Sequence, residues 1–388
     1  MFVFVFIALT LFDVTKPNSI RIELQDDFNS IYDNVYDNGK KFNFQLGIQT
    51  FYGLVFPFFQ DVIVIDSECG TTRNNCSRYC HEPDFCGFYC PIECYQRTAQ
   101  SLQLVCPPQV SHYNRSASST AKTLDDYGQW RAKRNSTHDM YAIYVQDILT
   151  LQNDTTSLSV SEFIFLSAMS ASSNLFGRND ALIGMAPGSI TQPNFIHKLH
   201  KNGQLNRPVV SFSRAALHSY AVIGDAEEFD CNQWLELSTV EENAWIFEFN
   251  EVKVMGRKFG KTKVLWNPVD SLSNMPQYVY DIFIHEKIFF YADGWLVANC
   301  TDDRPIIQFT GSRGQKLVIT PADLFGTDAQ YFDYCNVFAG VSESSSNFPV
   351  EWSLGVYFSW KHCHRYDFGS RTFAIGSKSD HLVSKYVN

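Results

Sequence analysis

Apolar residues along this chain fall mostly in short runs, continuous or alternating with polar residues, and each run ends at a turn former. Residues 61–65, 140–151, 162–167, 209–213 and 245–254 read this way, as strands with one or both faces buried. Helical spacing is rarer. The stretch PNFIHKL at 193–199 has Pro193 in its first turn, Phe195, Ile196 and Leu199 on one face, and Gly203 as a stop, which predicts a short helix. PQYVYDIF from Pro276 predicts a second. Many short strands with few short helices predict an all-β architecture. No charged or Ser/Gly-rich linker interrupts the pattern, so the change of unit near 214–220 reads as a boundary between packed halves.

One pattern recurs in the two halves. An apolar run delivers Asp66-Ser67 to a turn, and Ala181-Leu-Ile-Gly184 follows much later. In the second half Val269-Asp270-Ser271 is followed by Trp352-Ser-Leu-Gly355. An Asp-Ser turn and then an apolar-apolar-Gly, in each half, predict an internal duplication. Ahead of the first half, residues 2–12 (FVFVFIALTLF) form a continuous apolar run. A bilayer span needs about 20 residues, so the run reads as a signal peptide over 1–16. No later run approaches membrane length, and no membrane span is expected in the mature chain.

Composition narrows the class. The chain has 388 residues, 45% of them hydrophobic and 15% aromatic, too apolar for disorder. Lys plus Arg number 31 against 41 Asp plus Glu, a formal charge of −10, which excludes an electrostatic nucleic-acid binder. Eleven cysteines are present, seven of them between 69 and 106. Zinc pairs have tighter repeated spacing with matched His residues, so disulfides are expected, and with them an oxidising compartment. Five Asn-x-Ser/Thr sequons, at Asn75, Asn114, Asn135, Asn153 and Asn299, support export to the extracellular space or the endolysosomal lumen, with glycosylation there. His362-Cys363-His364 could suggest a metal, but Cys363 is better used in a disulfide, and no metal site is expected.

In order and spacing, several short motifs resemble those of the pepsin-like aspartic proteases over about residues 40–380. Phe56-Pro57 sits where that family has its Gly-Thr-Pro turn, and Asp66-Ser67-Glu68 sits where it has Asp-Thr-Gly. Ser116-Ala-Ser-Ser-Thr120 is similar to its Ser-rich stretch, and Asp180-Ala-Leu-Ile-Gly-Met-Ala186 to its Asp-Gly-Ile-Leu-Gly-Leu-Ala. Trp352-Ser-Leu-Gly355 with Tyr366-Asp-Phe-Gly369 resembles the C-terminal signature. The resemblance implies two β lobes around a cleft: an N-terminal lobe over 44–215 carrying the cysteine-rich insert 69–106, and a C-terminal lobe over 216–388. It implies that Cys300 pairs with Cys335 and Cys231 with Cys363. It further implies no cofactor, a monomer, and an extended peptide or protein ligand in the cleft.

The family chemistry needs two facing carboxylates, one ionised to activate water and one protonated to donate to the peptide carbonyl. Asp66 suits the first place, and Ser67 can stand for Thr. Glu68 replaces the Gly that the tight turn requires. For the second place, an ungapped alignment back from Pro276 puts Asn267-Pro268-Val269 over Asp-Thr-Gly. A gapped alternative puts Asp270-Ser271-Leu272 there but leaves Pro268 in the preceding strand, where it removes a ladder donor. The flap Tyr-Gly maps to Arg134-Asn135, or to Tyr127-Gly128 in a longer flap. The segment 17–43 is short and acidic (Glu23, Asp26, Asp27, Asp33, Asp37), whereas the family's pro-segments are longer and basic. The expectation is a secreted pepsin-fold protein with lost or strongly reduced peptidase activity that acts by binding. The alternative is an acid endopeptidase using Asp66 and Asp270.

Overall fold

The computed structural model describes residues 19–26, 39–69, 110–124, 140–342 and 350–377, apart from 172–175, 178, 190, 192, 215–218, 228, 230, 232 and 332. Most of the cysteine-rich insert, both flap candidates, Asn75 and Asn135 lie outside the described residues, as does the apolar run at 2–12.

The fold is mostly β, with three short α-helices among the described residues. A nine-stranded sheet forms the first half. At its centre Val62–Asp66 is buried at every position, as its continuous apolar run requires for a strand covered on both faces. Beside it runs a long hairpin, Met140–Gln152 against Ser157–Ala171. Its turn is closed by Asn153, whose Oδ1 accepts from the backbone of Thr155 at 3.0 Å and of Thr156 at 2.6 Å. In the second half a five-stranded sheet carries Thr262–Trp266, Trp352–Leu354 and Ser273–Met275, and the strands of two four-stranded sheets fall between its first and last strands in sequence. A six-stranded sheet draws on both halves. Its order is Ile20–Glu23, Tyr220–Ile223, Val209–Phe212, Cys363–Asp367, Thr372–Ser377 and Gln233–Ser238. Part of the segment 17–43 is thus built into the fold, with Ile20 opposite Ile223 and Glu23 opposite Tyr220.

Aromatic packing ties this sheet to the second half. Trp266 Nε1 donates to Tyr366 Oη at 2.9 Å. The Trp266 ring lies 4.7 Å from Phe373, and His364 stacks on Phe212 at 5.0 Å. Cys231 is bonded to Cys363 and Cys300 to Cys335.

Two elements differ from the sequence reading. The stretch 245–254 is two strands, Ile246–Phe249 and Glu251–Val254, in different sheets. The first helix is Phe195–Lys201 and starts after Pro193, because Asn194 caps it by accepting from Ile196 N at 2.9 Å. The second, Gln277–His285, begins directly after Pro276.

Candidate functional site

Asp66 ends its strand fully buried, opposite Tyr113. Its Oδ1 accepts from Glu68 N at 2.9 Å and its Oδ2 from Ser167 Oγ at 2.6 Å. Arg115 Nε lies 3.0 Å from Oδ2, and Arg115 Nη2 lies 2.7 Å from Glu68 Oε2. One guanidinium therefore clamps both acids of the Asp66-Ser67-Glu68 motif. Glu68 reaches outward, with 60% of its side chain exposed. Ser67 contributes its backbone, donating from N to Tyr113 O at 2.9 Å.

A second buried carboxylate, which sequence reading passes over, lies next to this one. Asp147 accepts from Tyr113 Oη at 2.6 Å, from Ile148 N at 2.8 Å and from Thr120 Oγ1. Burial pushes its carboxyl up, but the hydrogen bonds from Thr120, Tyr113 and Ser118 outweigh that and hold it below the usual carboxylate range. Burial, and then Asp147 as acceptor, push the Tyr113 phenol far up. The polar cluster is satisfied from within.

The internal duplication is present, but in a register different from the one read off the sequence. In the first half Ala181–Gly184 is inserted between two consecutive strands, parallel to Gln49–Phe56 and antiparallel to Val62–Asp66. In the second half Trp352–Leu354 is inserted parallel to Thr262–Trp266 and antiparallel to Ser273–Met275. Each inserted strand runs into a glycine that a loop crosses closely. A Cβ on Gly184 would lie 2.4 Å from Asp61 O and 2.7 Å from Phe59 O. On Gly355 it would lie 2.5 Å from Leu272 O and 2.9 Å from Asp270 O. Asp61 thus matches Leu272, and Phe59 matches Asp270. Counting back, Phe58 matches Val269, Pro57 matches Pro268, and Phe56 matches Asn267. Both loops begin with a residue followed by proline.

The correspondence of Asp66-Ser67 with Asp270-Ser271 is therefore corrected. Asp66 lies at the far end of the strand that follows the first loop. Four residue steps at about 3.3 Å place it roughly 13 Å beyond the loop. A linear motif could not reveal this, because the register is set by a third strand that arrives from far along the chain, Ala181–Gly184 in the first half and Trp352–Leu354 in the second.

The two loops interlock with apolar side chains. Phe58 of the first packs against Ala244, Ile246 and Leu265 of the second half. Val269 of the second packs among Leu54, Phe56, Phe59 and Ile63 of the first. Polar contacts frame the joint: Gln60 Nε2 donates to Asn243 Oδ1 at 3.0 Å, and Trp245 Nε1 donates to Met185 O. Asn267 is half-buried, and its Oδ1 is enclosed without a hydrogen-bond partner among the described residues.

Asp270 Oδ1 accepts from Leu272 N at 3.0 Å, while the amides of Asn267 and Asn274 each stand 3.4 Å from Oδ2. Burial pushes the Asp270 carboxyl up, against the pull of Leu272 N–H and Asn274. Ser271 sits in the same loop, at the position that matches Gln60. Among the described residues no hydrogen bond or ion pair joins Asp270 to Asp66.

The remaining candidates are dispersed. Asn114 caps a single 3-10 turn, Asn153 closes the long hairpin and Asn299 ends a strand. His362 Nε2 faces Asp323 Oδ1 at 3.3 Å, and His364 is buried. Among the described residues no three His, Cys, Asp or Glu side chains converge as a metal would need. No protein-family model matches the chain, and a search of curated proteins finds none similar to it.

Proposed function

We propose that the chain is a two-lobed, pepsin-like protein that has given up peptide hydrolysis and acts by binding an extended peptide or protein segment in its cleft. One observation carries the reading. The motifs put the first carboxylate at Asp66, but the strand repeat matches the loop of Asn267 with the loop that opens at Phe56, and the two loops pack into the opposite halves through Phe58 and Val269. Acid–base hydrolysis needs two carboxyl groups in reach of one water. The joint supplies a half-buried Asp270, matched in the other loop by Phe59, while that loop's own acid, Asp61, is paired with Lys198 at 3.1 Å. The carboxylate of Asp66 is taken up by Arg115, Ser167 and Glu68 N. The Cys231–Cys363 and Cys300–Cys335 disulfides are compatible with a secreted or lumenal location. No helix among the described residues is long and apolar enough to cross a membrane.

The test is cleavage of a denatured protein by the glycosylated chain from about pH 3 to 7, with Asp66→Ala and Asp270→Ala beside it. No acid-optimal cleavage is expected. Acid cleavage that either substitution abolishes would establish the competing endopeptidase.

A further inference from the structure

The sequon Asn299-Cys300-Thr301 is held against an aromatic side chain by two independent constraints. Asn299 ends the strand Trp295–Asn299 and lies directly opposite Tyr334 in the antiparallel ladder with Tyr334–Val337. Opposed residues have Cβ atoms about 5 Å apart and share a face. The middle residue of the sequon, Cys300, is bonded to Cys335, the neighbour of Tyr334. The disulfide therefore pins the register in which Asn299 faces Tyr334.

Within the sequon, Asn299 Oδ1 accepts from Thr301 N at 2.9 Å and from Thr301 Oγ1 at 2.8 Å. The carboxamide oxygen is turned inward, and among the described residues Nδ2 makes no hydrogen bond. Asn153 shows the contrast. It is half-buried, its Nδ2 donates to Arg21 O at 2.7 Å, and its Oδ1 is filled by Thr155 and Thr156.

Tyr334 is itself braced. Phe290 packs edge-on to it at 4.9 Å, and Phe290 lies opposite Val297, on the face that carries Asn299. Tyr334 as a residue is still 38% exposed. With Phe290 braced against it, the exposed remainder of the ring beside the strand end is an apolar shelf.

We propose that Asn299 carries an N-linked glycan and that the first N-acetylglucosamine lies across Tyr334, its C–H face on the ring. The sugar removes apolar ring surface from water. The shelf is preorganised, so little side-chain entropy is lost in making the contact. The glycan is then a structural part of the small sheet built from Phe290–Ala292, Trp295–Asn299, Phe325–Tyr331 and Tyr334–Val337. The proposal concerns the exported chain and is independent of any peptidase reading.

The full chain is expressed through a eukaryotic secretory route and treated with a peptide-N-glycosidase, which converts each occupied Asn to Asp. Mass spectrometry is expected to find the conversion at Asn299. Removing the glycan is expected to lower the melting temperature by about 1–3 °C, a loss shared by Asn299→Gln. In Tyr334→Ala the same removal is expected to shift the melting temperature by less than a third as much, while Tyr334→Phe keeps the full shift. Should Tyr334→Ala not accumulate, the intact protein is read directly: the acetyl methyl proton resonance of the first sugar is expected upfield of its free position, from the ring current of Tyr334. An unmodified Asn299 in the exported chain, an equal shift in Tyr334→Ala, or an unshifted acetyl methyl would each overturn the proposal.

Discussion

Arg115→Gln is the substitution that weighs most on the reading of Asp66. The Asp66 side chain has no solvent exposure and the Arg115 side chain has 22%. Removing the guanidinium leaves a buried carboxylate with two neutral donors, Ser167 Oγ and Glu68 N. Breaking one side of a buried pair costs about 3–5 kcal/mol. Partial exposure of Arg115 lowers that to about 2–4 kcal/mol. Glu68 shares the same guanidinium but is 60% exposed, so Glu68→Gln should cost about 0–1 kcal/mol. Asp66→Asn removes the charge and keeps an acceptor for Glu68 N, so Asp66→Asn with Arg115→Gln should cost less than the two changes added. A coupling of at least about 1 kcal/mol is expected for groups in direct contact. The assay is urea unfolding at neutral pH with the disulfides intact, comparing midpoints at constant slope. Additive single costs, or an Arg115→Gln midpoint equal to that of the parent, would show that the clamp does not hold Asp66 and would reopen it as a free acid.

Three further outcomes follow from other parts of the fold. Val269 is 1% exposed inside the other half's core, so Val269→Ala should cost about 1–3 kcal/mol in the same urea assay, against under about 0.5 kcal/mol for exposed Val240→Ala. Gly184→Ala puts a Cβ 2.4 Å from Asp61 O, and the backbone must move; soluble yield and melting temperature should both fall. His364 is held well below the ordinary histidine range by burial and then by the Lys40 charge, against an upward pull from the hydrogen bond to the His362 backbone. The folded state thus keeps this ring neutral while the unfolded chain takes up a proton near about pH 6.5, so its contribution is present above that pH and lost as pH falls. Stability should drop by up to about 1.4 kcal/mol per pH unit between about pH 6.5 and 5, above the range where Asp147 contributes, and His364→Phe should flatten that slope.

How far the sequence reaches depends on the span of the physics at each point. Val62–Asp66 and the helix at Pro276 are legible because a buried strand and a helix start are written in a few adjacent residues. The stretch 245–254 is not, since its alternation runs straight through Asn250 while the chain passes from one sheet to another. Arg115 sits 49 residues after Asp66, beyond a cysteine-rich insert, and nothing local marks it as the partner.

The site itself is half legible. The apolar-apolar-Gly strands are visible in both halves. What misleads is the prominence of Asp-Ser over Phe-Pro. A glycine crossed by a loop carbonyl is a geometric marker that composition does not touch. Gly184 meets Phe59 and Asp61, Gly355 meets Asp270 and Leu272, and that match alone places Phe56 beside Asn267 in the repeat. Once the loops are paired in this way, the residues on the two sides depend on each other's packing. Phe58 needs the pocket of Ala244, Ile246 and Leu265, and Val269 needs that of Leu54, Phe56 and Ile63. A carboxylate at Asn267 would stand beside that of Asp270, whose Oδ2 is 3.4 Å from the Asn267 amide, where burial and the like charge both disfavour ionisation. Under the proposed function, a carboxylate introduced at Phe56 alone or at Asn267 alone should give no acid-optimal cleavage in the denatured-protein assay.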